Sequence, residues 1–173
     1  MAEEVGLRIA IGSDRRGFAC KEKLIGHIIE LGYEAVDVGP YDGELPVDYP
    51  IYGEKVGRLV ARGDCDFGAV VCATGIGIMI AANKVDGVRC GMAYADDVAQ
   101  LMREHNDANV IAFGQDHMRY SDIERRLDIF LGTSFLGGYH VARVQQLADI
   151  EKGMPITQSP FLDKSLGSNG GEK

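Results

Sequence analysis

The chain has 173 residues, a formal net charge of −8 and a sequence pI of about 5.0. Hydrophobic residues make up 46% and charged residues 25%, an ordinary globular mix for one domain that buries its own core. The acidic balance leaves no general basic face for nucleic acid or an anionic membrane, and no apolar run approaches the ~20 residues that span a bilayer. Neither partner is expected. An anionic small molecule is compatible with this charge only where cations are concentrated locally.

The elements alternate from the start. Leu7–Gly12 reads as a strand, and Gly17–Leu31 as a helix with Phe18, Leu24, Ile28 and Leu31 near one face. Gly32 stops that helix before a second strand, Tyr33–Val38. Residues 39–50, GPYDGELPVDYP, form a loop, and Ile51–Arg62 is helical. Phe67–Cys72 is the third strand and Ile76–Asn83 the helix after it. Val88–Tyr94 is a fourth strand, followed by a helix over Asp96–Glu104. Asn109–Phe113 is the fifth strand, then come helices over Tyr120–Leu131 and, past Gly137-Gly138, over about Val141–Lys152.

This order implies βαβ units and a parallel sheet of five strands. The expected fold is a single-domain, three-layer α/β/α sandwich, Rossmann-like and doubly wound, over residues 1–152. Residues 153–173 turn Gly-, Ser- and Pro-rich and are expected to be a loosely attached or disordered tail. Doubly wound sheets bind ligands at the carboxyl ends of their strands. Four polar clusters fall there: Ser13–Arg16, Cys72–Thr74, Tyr94–Asp96 and Gly114–His117.

The run CATGIGIMIAANK, Cys72–Lys84, carries the most chemistry. A strand followed by Gly-x-Gly and a helix exposes backbone N–H groups where the helix begins, which is an anion cradle. A thiol at its mouth, next to a helix N-terminus, is favoured as a base or nucleophile. A base beside an anion cradle is suited to taking a proton next to a carbonyl. The ordinary alternatives are a structural turn and an inert core cysteine. Position 80 is Ile where a dinucleotide fingerprint wants Gly, and no Walker A run is present.

The four cysteines, Cys20, Cys65, Cys72 and Cys90, form no Cys-x-x-Cys pair and follow no secretory leader. A reduced, cytoplasmic protein is expected, with two or three of them filling core space. His105-Asn106-Asp107-Ala108-Asn109 sits between a helix end and a strand. It reads either as acid/base machinery or as a favourable charge at a helix C-terminus. Asp14-Arg15-Arg16-Gly17 reads as an N-cap with solvated arginines or as an anion site using Arg15 or Arg16. His140 and Arg143 share a helix face and are either surface residues or part of an anion clamp. No His, Cys, Asp or Glu set has metal spacing, so no metal is expected.

Together these residues resemble the sugar-phosphate isomerase family that contains ribose-5-phosphate isomerase type B and the galactose-6-phosphate isomerase subunits. The resemblance covers roughly residues 7–152. CATGIGIMIAANKVDGVR resembles the family's C-G-T-G-I-G-x-x-I-A-A-N-K-x-x-G-I-R, and REHNDANVIAFG its R-x-H-N-D-A-N-V-L-A-F-G. GSDRRG, DYPIYG and GGYHVARV sit at three further family segments.

The resemblance implies an aldose–ketose isomerase of a small sugar phosphate, of the ribose 5-phosphate/ribulose 5-phosphate type, working through a cis-enediolate. By matched position, Cys72 is the base, and the N–H groups of Gly75, Ile76, Gly77 and Ile78 hold the enediolate oxygen. Thr74 helps protons move between the two oxygens. His105 with Asp14 opens the sugar ring, and Asn106 holds the open chain. Tyr49, Arg15, Asp116, His140 and Arg143 complete the substrate site. No metal or organic cofactor is implied. Homodimers or homotetramers with sites built from two subunits are.

Three positions depart from the family pattern. Arg15 replaces a His, Asp116 stands where Arg or Lys is common, and Tyr139 replaces an Arg that usually helps bind phosphate. Two repairs fit. Arg15, His140 and Arg143 clamp phosphate while Asp116 orients an arginine, or the substrate is a different or unphosphorylated sugar and Asp116 bonds a hydroxyl. A non-catalytic ligand-binding module and a subunit of a hetero-oligomeric isomerase are the other readings.

Overall fold

The structure is a computed structural model and describes residues 6–159. Five parallel strands form one sheet: β1 (Arg8–Ser13), β2 (Glu34–Asp37), β3 (Phe67–Cys72), β4 (Cys90–Met92) and β5 (Val110–Gly114). Their order is β2-β1-β3-β5-β4. Six helices accompany them: α1 (Phe18–Glu30), α2 (Tyr49–Ala61), α3 (Ile76–Ala82), α4 (Asp96–Asn106), α5 (Tyr120–Gly132) and α6 (His140–Glu151). The expected five-stranded α/β sandwich is the fold observed. Expectations for residues 160–173 of the tail lie outside the described residues.

Crossover handedness sorts the helices into layers. The connections β2→β3 and β3→β4 run one way along the sheet, while β1→β2 and β4→β5 run the other. Right-handed crossovers therefore place α2 and α3 on one face and α1 and α4 on the opposite face. The two cores agree. Ile9, Ile11, Val71 and Phe113 pack with Leu24 and Ile28 of α1, Met102 of α4, and Leu127 and Phe130 of α5. Ala10, Val70, Cys72 and Ala112 pack with Val56 and Val60 of α2 and Ile78 and Ala82 of α3.

β1, β3 and β5 are central and lined by fully buried residues, as parallel strands covered on both faces must be. α2 and α3 touch through glycine. A Cβ at Gly53 would stand 2.7 Å from the Ile78 carbonyl oxygen. That close contact sets the start of α3 against the start of α2. α6 packs chiefly on α4, and His140 is its one buried residue.

Candidate active site

β3 ends in Cys72 at the centre of the carboxyl edge, flanked by β1 and β5. Its side chain faces the α2/α3 layer and is 4% exposed. The chain then reverses through Gly75 at φ 79°, ψ −20°. That left-handed conformation suits glycine, and a Cβ there would meet Met92 Cε at 2.7 Å and the Phe113 backbone at 2.8 Å. The reversal turns the Gly75 N–H back onto Cys72 Sγ at 3.1 Å. Thr74 Oγ1 accepts from the Ile76 N–H at 3.3 Å, and its exposed hydroxyl stays free to donate. Met79 is the first residue of α3 to bond back to Gly75, and no side chain caps the helix. The Gly77 and Ile78 amides therefore have no partner among the described residues.

Neighbouring strands bring further groups to the same edge. The Asp14 N–H donates to the Val71 carbonyl at 3.1 Å, and its Oδ1 accepts from the Gly17 N–H at 2.8 Å. Asp14 thus closes the β1–α1 turn ahead of α1, whose N-cap is Gly17, and it sits one strand from the thiol. After β5, the Gln115 and Asp116 N–H groups each donate at 3.0 Å, to the Cys72 and Ala73 carbonyls. Tyr49 roofs the corner, since a Cβ on Gly77 would lie 2.8 Å from its ring. Arg15 is exposed at the rim.

Three of the four polar clusters converge here. The fourth does not, because β4 is the edge strand and β5 separates it from β3. Asp96 is instead held by Arg125 at 2.8 Å and Arg126 at 3.0 Å. Those arginines hold its carboxyl below the usual range.

His105, Asn106, His140 and Arg143 gather elsewhere. The His105 and His140 rings stack at 4.2 Å, Tyr139 leans on His140 at 4.1 Å, and the Arg143 guanidinium lies 4.7 Å over Tyr139. Burial, with His105 and Arg143 nearby, pushes His140 below the ordinary histidine range. This group lies at the amino end of the sheet. Arg103, in the same last turn of α4, places its guanidinium 4.8 Å over Phe67, the first residue of β3. Five residue steps of β3 separate Phe67 from Cys72, roughly 16 Å. In one chain, then, His105 is not beside Cys72. The separation arises because α4 runs antiparallel to the strands and carries its last turn back to the amino end of the sheet.

Two residues of the His105 motif are structural. Asp107, at φ 46°, takes Arg89 Nη2 at 3.0 Å and Arg103 Nη1 at 2.8 Å. Asn109 Oδ1 accepts from the Arg89 N–H, and its Nδ2 donates to the Gly87 carbonyl, both at 2.8 Å. Asn106 remains exposed, with no side-chain bond among the described residues.

Lys21 escaped the sequence reading. It is fully buried and bridges Glu22 and Asp37, each at 2.7 Å, between the Phe18 and Tyr41 rings. It ties α1 to the end of β2 and so to the loop that delivers Tyr49. The signal was present: Lys21 shares the buried face of Leu24 and Ile28 at helical spacing.

Among the described residues no group of three or more His, Cys, Asp or Glu side chains is placed to hold a metal. No helix there is long and apolar enough to cross a membrane.

The sheet order and the thiol-bearing corner define a doubly wound α/β protein with a cysteine set beside free backbone donors. A family model described as Ribose/Galactose Isomerase matches residues 9–147, so the chain belongs to that family. Ribose-5-phosphate isomerase B of Escherichia coli (strain K12) is 40% identical over 145 residues, covering 84% of this chain and 97% of that protein. The Clostridium thermocellum ribose-5-phosphate isomerase B structure superposes with TM-score 0.83 at 41% identity, covering 85% of this chain and 99% of that one. The Mycoplasma genitalium enzyme, solved with bound ribulose-5-phosphate, gives TM-score 0.81 at 33% identity, covering 84% and 96%.

Proposed function

We propose that the protein is an aldose–ketose isomerase of a small sugar phosphate, of the ribose 5-phosphate/ribulose 5-phosphate type. The observation that carries this is Cys72 Sγ facing the Gly75 N–H at 3.1 Å beside the free Gly77 and Ile78 amides. Relatives named ribose-5-phosphate isomerase B support the same reaction.

The Cys72 thiolate takes the proton from carbon 2 of the open-chain aldose. The C–H electron pair forms the carbon 1–carbon 2 double bond, and the carbonyl pair moves onto oxygen 1. The free amides of Gly77 and Ile78 hold that oxygen, a preorganised arrangement whose loss typically costs 10²–10³ in rate. The Thr74 hydroxyl carries a proton between oxygens 2 and 1. Cys72 then returns its proton to carbon 1, and the ketose forms. His105 and Asp14 open the sugar ring, Asn106 holds the open chain, and Tyr49 covers it. Arg15, His140 and Arg143 serve the phosphate end.

This division requires a second copy of the chain. His105, Asn106, His140 and Arg143 reach Cys72 only from a partner whose α4–α6 end faces the first copy's corner. Exposed apolar residues flank both halves and support such a contact: Ile76 and Ile80 beside the corner, and Val141, Leu147 and Ile150 on α6. The homodimer is the smallest assembly that completes two sites. A cytoplasmic enzyme of carbohydrate metabolism follows from this reading.

The test is conversion of a panel of four-, five- and six-carbon aldoses and ketoses, each with and without phosphate. Turnover confined to phosphorylated sugars supports the assignment and names the substrate. Turnover of free sugars alone overturns the phosphate part, and no turnover of any sugar overturns the whole.

A further inference from the structure

One ion pair crosses the mouth of the candidate site. Arg16 Nη2, from the β1–α1 turn, meets Asp116 Oδ2, from the turn after β5, at 2.7 Å. β1 and β5 flank β3, so the pair spans the strand that ends in Cys72. Asp116 is fixed from below, because its own N–H and that of Gln115 bond to the backbone of Ala73 and Cys72.

Counting donors and acceptors shows what the pair offers a ligand. Asp116 Oδ2 takes Arg16, and Oδ1 takes Gln115 Nε2 at 3.1 Å, so both carboxylate oxygens are engaged. Arg16 has five N–H donors and commits one, to Asp116. Its side chain is 65% exposed against 26% for Asp116. Arg16 therefore keeps a planar fork of donors unbonded among the described residues, with Arg15 exposed next to it in sequence. Such a fork suits an oxyanion with several acceptor oxygens, not a sugar hydroxyl. As a surface ion pair it contributes little stability. What it does is hold a long, rotamer-rich arginine over the thiol-bearing strand before a ligand arrives, which lowers the ordering cost of binding.

We infer that Arg16 is the phosphate ligand that the β1–α1 turn contributes to this site, and that Asp116 is the residue that positions it. The inference rests on the isomerase reading for the nature of its ligand, and of the two arginines of the β1–α1 turn it selects Arg16, to which the proposed mechanism gives no role. It also gives Asp116 a part: a carboxylate at a phosphate site is tolerated because it is spent on the arginine.

The test is a double-mutant cycle on the full chain, read as binding of inorganic phosphate by ³¹P NMR line broadening and as inhibition of turnover. Far-UV circular dichroism checks each variant, and all changes are at exposed side chains. Arg16→Gln is expected to weaken phosphate about tenfold or more, the loss of a charge-assisted contact. Arg16→Lys is expected to recover part of it, as a point charge without the fork. Asp116→Ala is expected to weaken phosphate about three- to fivefold in the parent and to change nothing in Arg16→Gln, because it acts only through that arginine. Unchanged phosphate binding in Arg16→Gln overturns the inference and leaves an ordinary surface pair. Tighter phosphate in Asp116→Ala, in both backgrounds, overturns the positioning role and makes Asp116 a repellent group. Phosphate binding is read without turnover. A protein that isomerises no sugar yet loses phosphate in Arg16→Gln sinks the isomerase reading alone. An active isomerase indifferent to Arg16 sinks this inference alone.

Discussion

Cys72 and His105 stand at opposite ends of one sheet. Cys72 closes β3 at its carboxyl edge, while Arg103, two residues before His105, covers the Phe67 ring that opens β3. No side-chain rotation spans the roughly 16 Å that the strand interposes. If both residues serve one reaction, they come from different copies of the chain.

Mixed assemblies test this directly. Cys72→Ala and His105→Ala are each expected to be inactive as pure assemblies. When they are dissociated together and reassembled, a random mixture of dimers is half hybrid, and each hybrid holds one intact site of two. Activity should return to about one quarter of the parent value. Recovery is measured by isomerisation after dilution from mild denaturant. No recovery, with hybrids demonstrated by native mass spectrometry, contradicts the shared site.

The corner is sensitive to a single methyl group. Gly75→Ala forces a side chain into the left-handed region at φ 79° and against Met92 and the Phe113 backbone. The expected cost is about 1–3 kcal/mol of stability. Displacement of the amides is expected to lower kcat by about 10²-fold. Denaturant unfolding and steady-state kinetics on the same preparation separate the two effects.

Thiol labelling should discriminate among the four cysteines. Burial pushes Cys20 up to about 11 and raises Cys65 and Cys90 as well, which keeps these three protonated near neutrality. Cys72 alone faces a helix-start N–H. Iodoacetamide at pH 7.5 should modify Cys72 first, in step with loss of turnover, as mapped by peptide mass spectrometry. Earlier labelling of Cys90 contradicts the assignment.

His140 makes stability depend on pH. Its folded-state value lies below the ordinary 6.5, mainly through burial. The unfolded chain therefore binds the proton more readily. Stability is complete above pH 6.5 and falls as pH drops from 6.5 through the lowered folded value. One proton limits the slope to about 1.4 kcal/mol per pH unit. Thermal melts between pH 7.5 and 5 should show the loss, and His140→Gln should flatten it.

Much of this was legible in the chain. The alternation of apolar runs with helical periods, and the Gly75/Gly77 signal after Phe67–Cys72, located every strand and the corner to within a few residues. Strand order was not legible. β4 lies at the edge and β5 beside β3 because α4 doubles back, and no local pattern encodes that reversal. For the same reason the sequence alone did not show at which end of the sheet the His105 motif lies. Within that motif the fates of Asp107 and Asn109 depended on Arg89, distant in sequence, and could not be read locally. The arginine that Asp116 engages is likewise set by tertiary structure, since 100 residues separate it from Arg16.

The central claim is that Cys72 moves a proton between carbons 1 and 2 of a sugar phosphate. Proton NMR in deuterated water, with ribose 5-phosphate and ribulose 5-phosphate, tests it most directly. The parent protein should convert one sugar to the other and place solvent deuterium on the carbon next to the carbonyl. Cys72→Ala, folded by circular dichroism, should do neither. Undiminished exchange in Cys72→Ala would contradict the account.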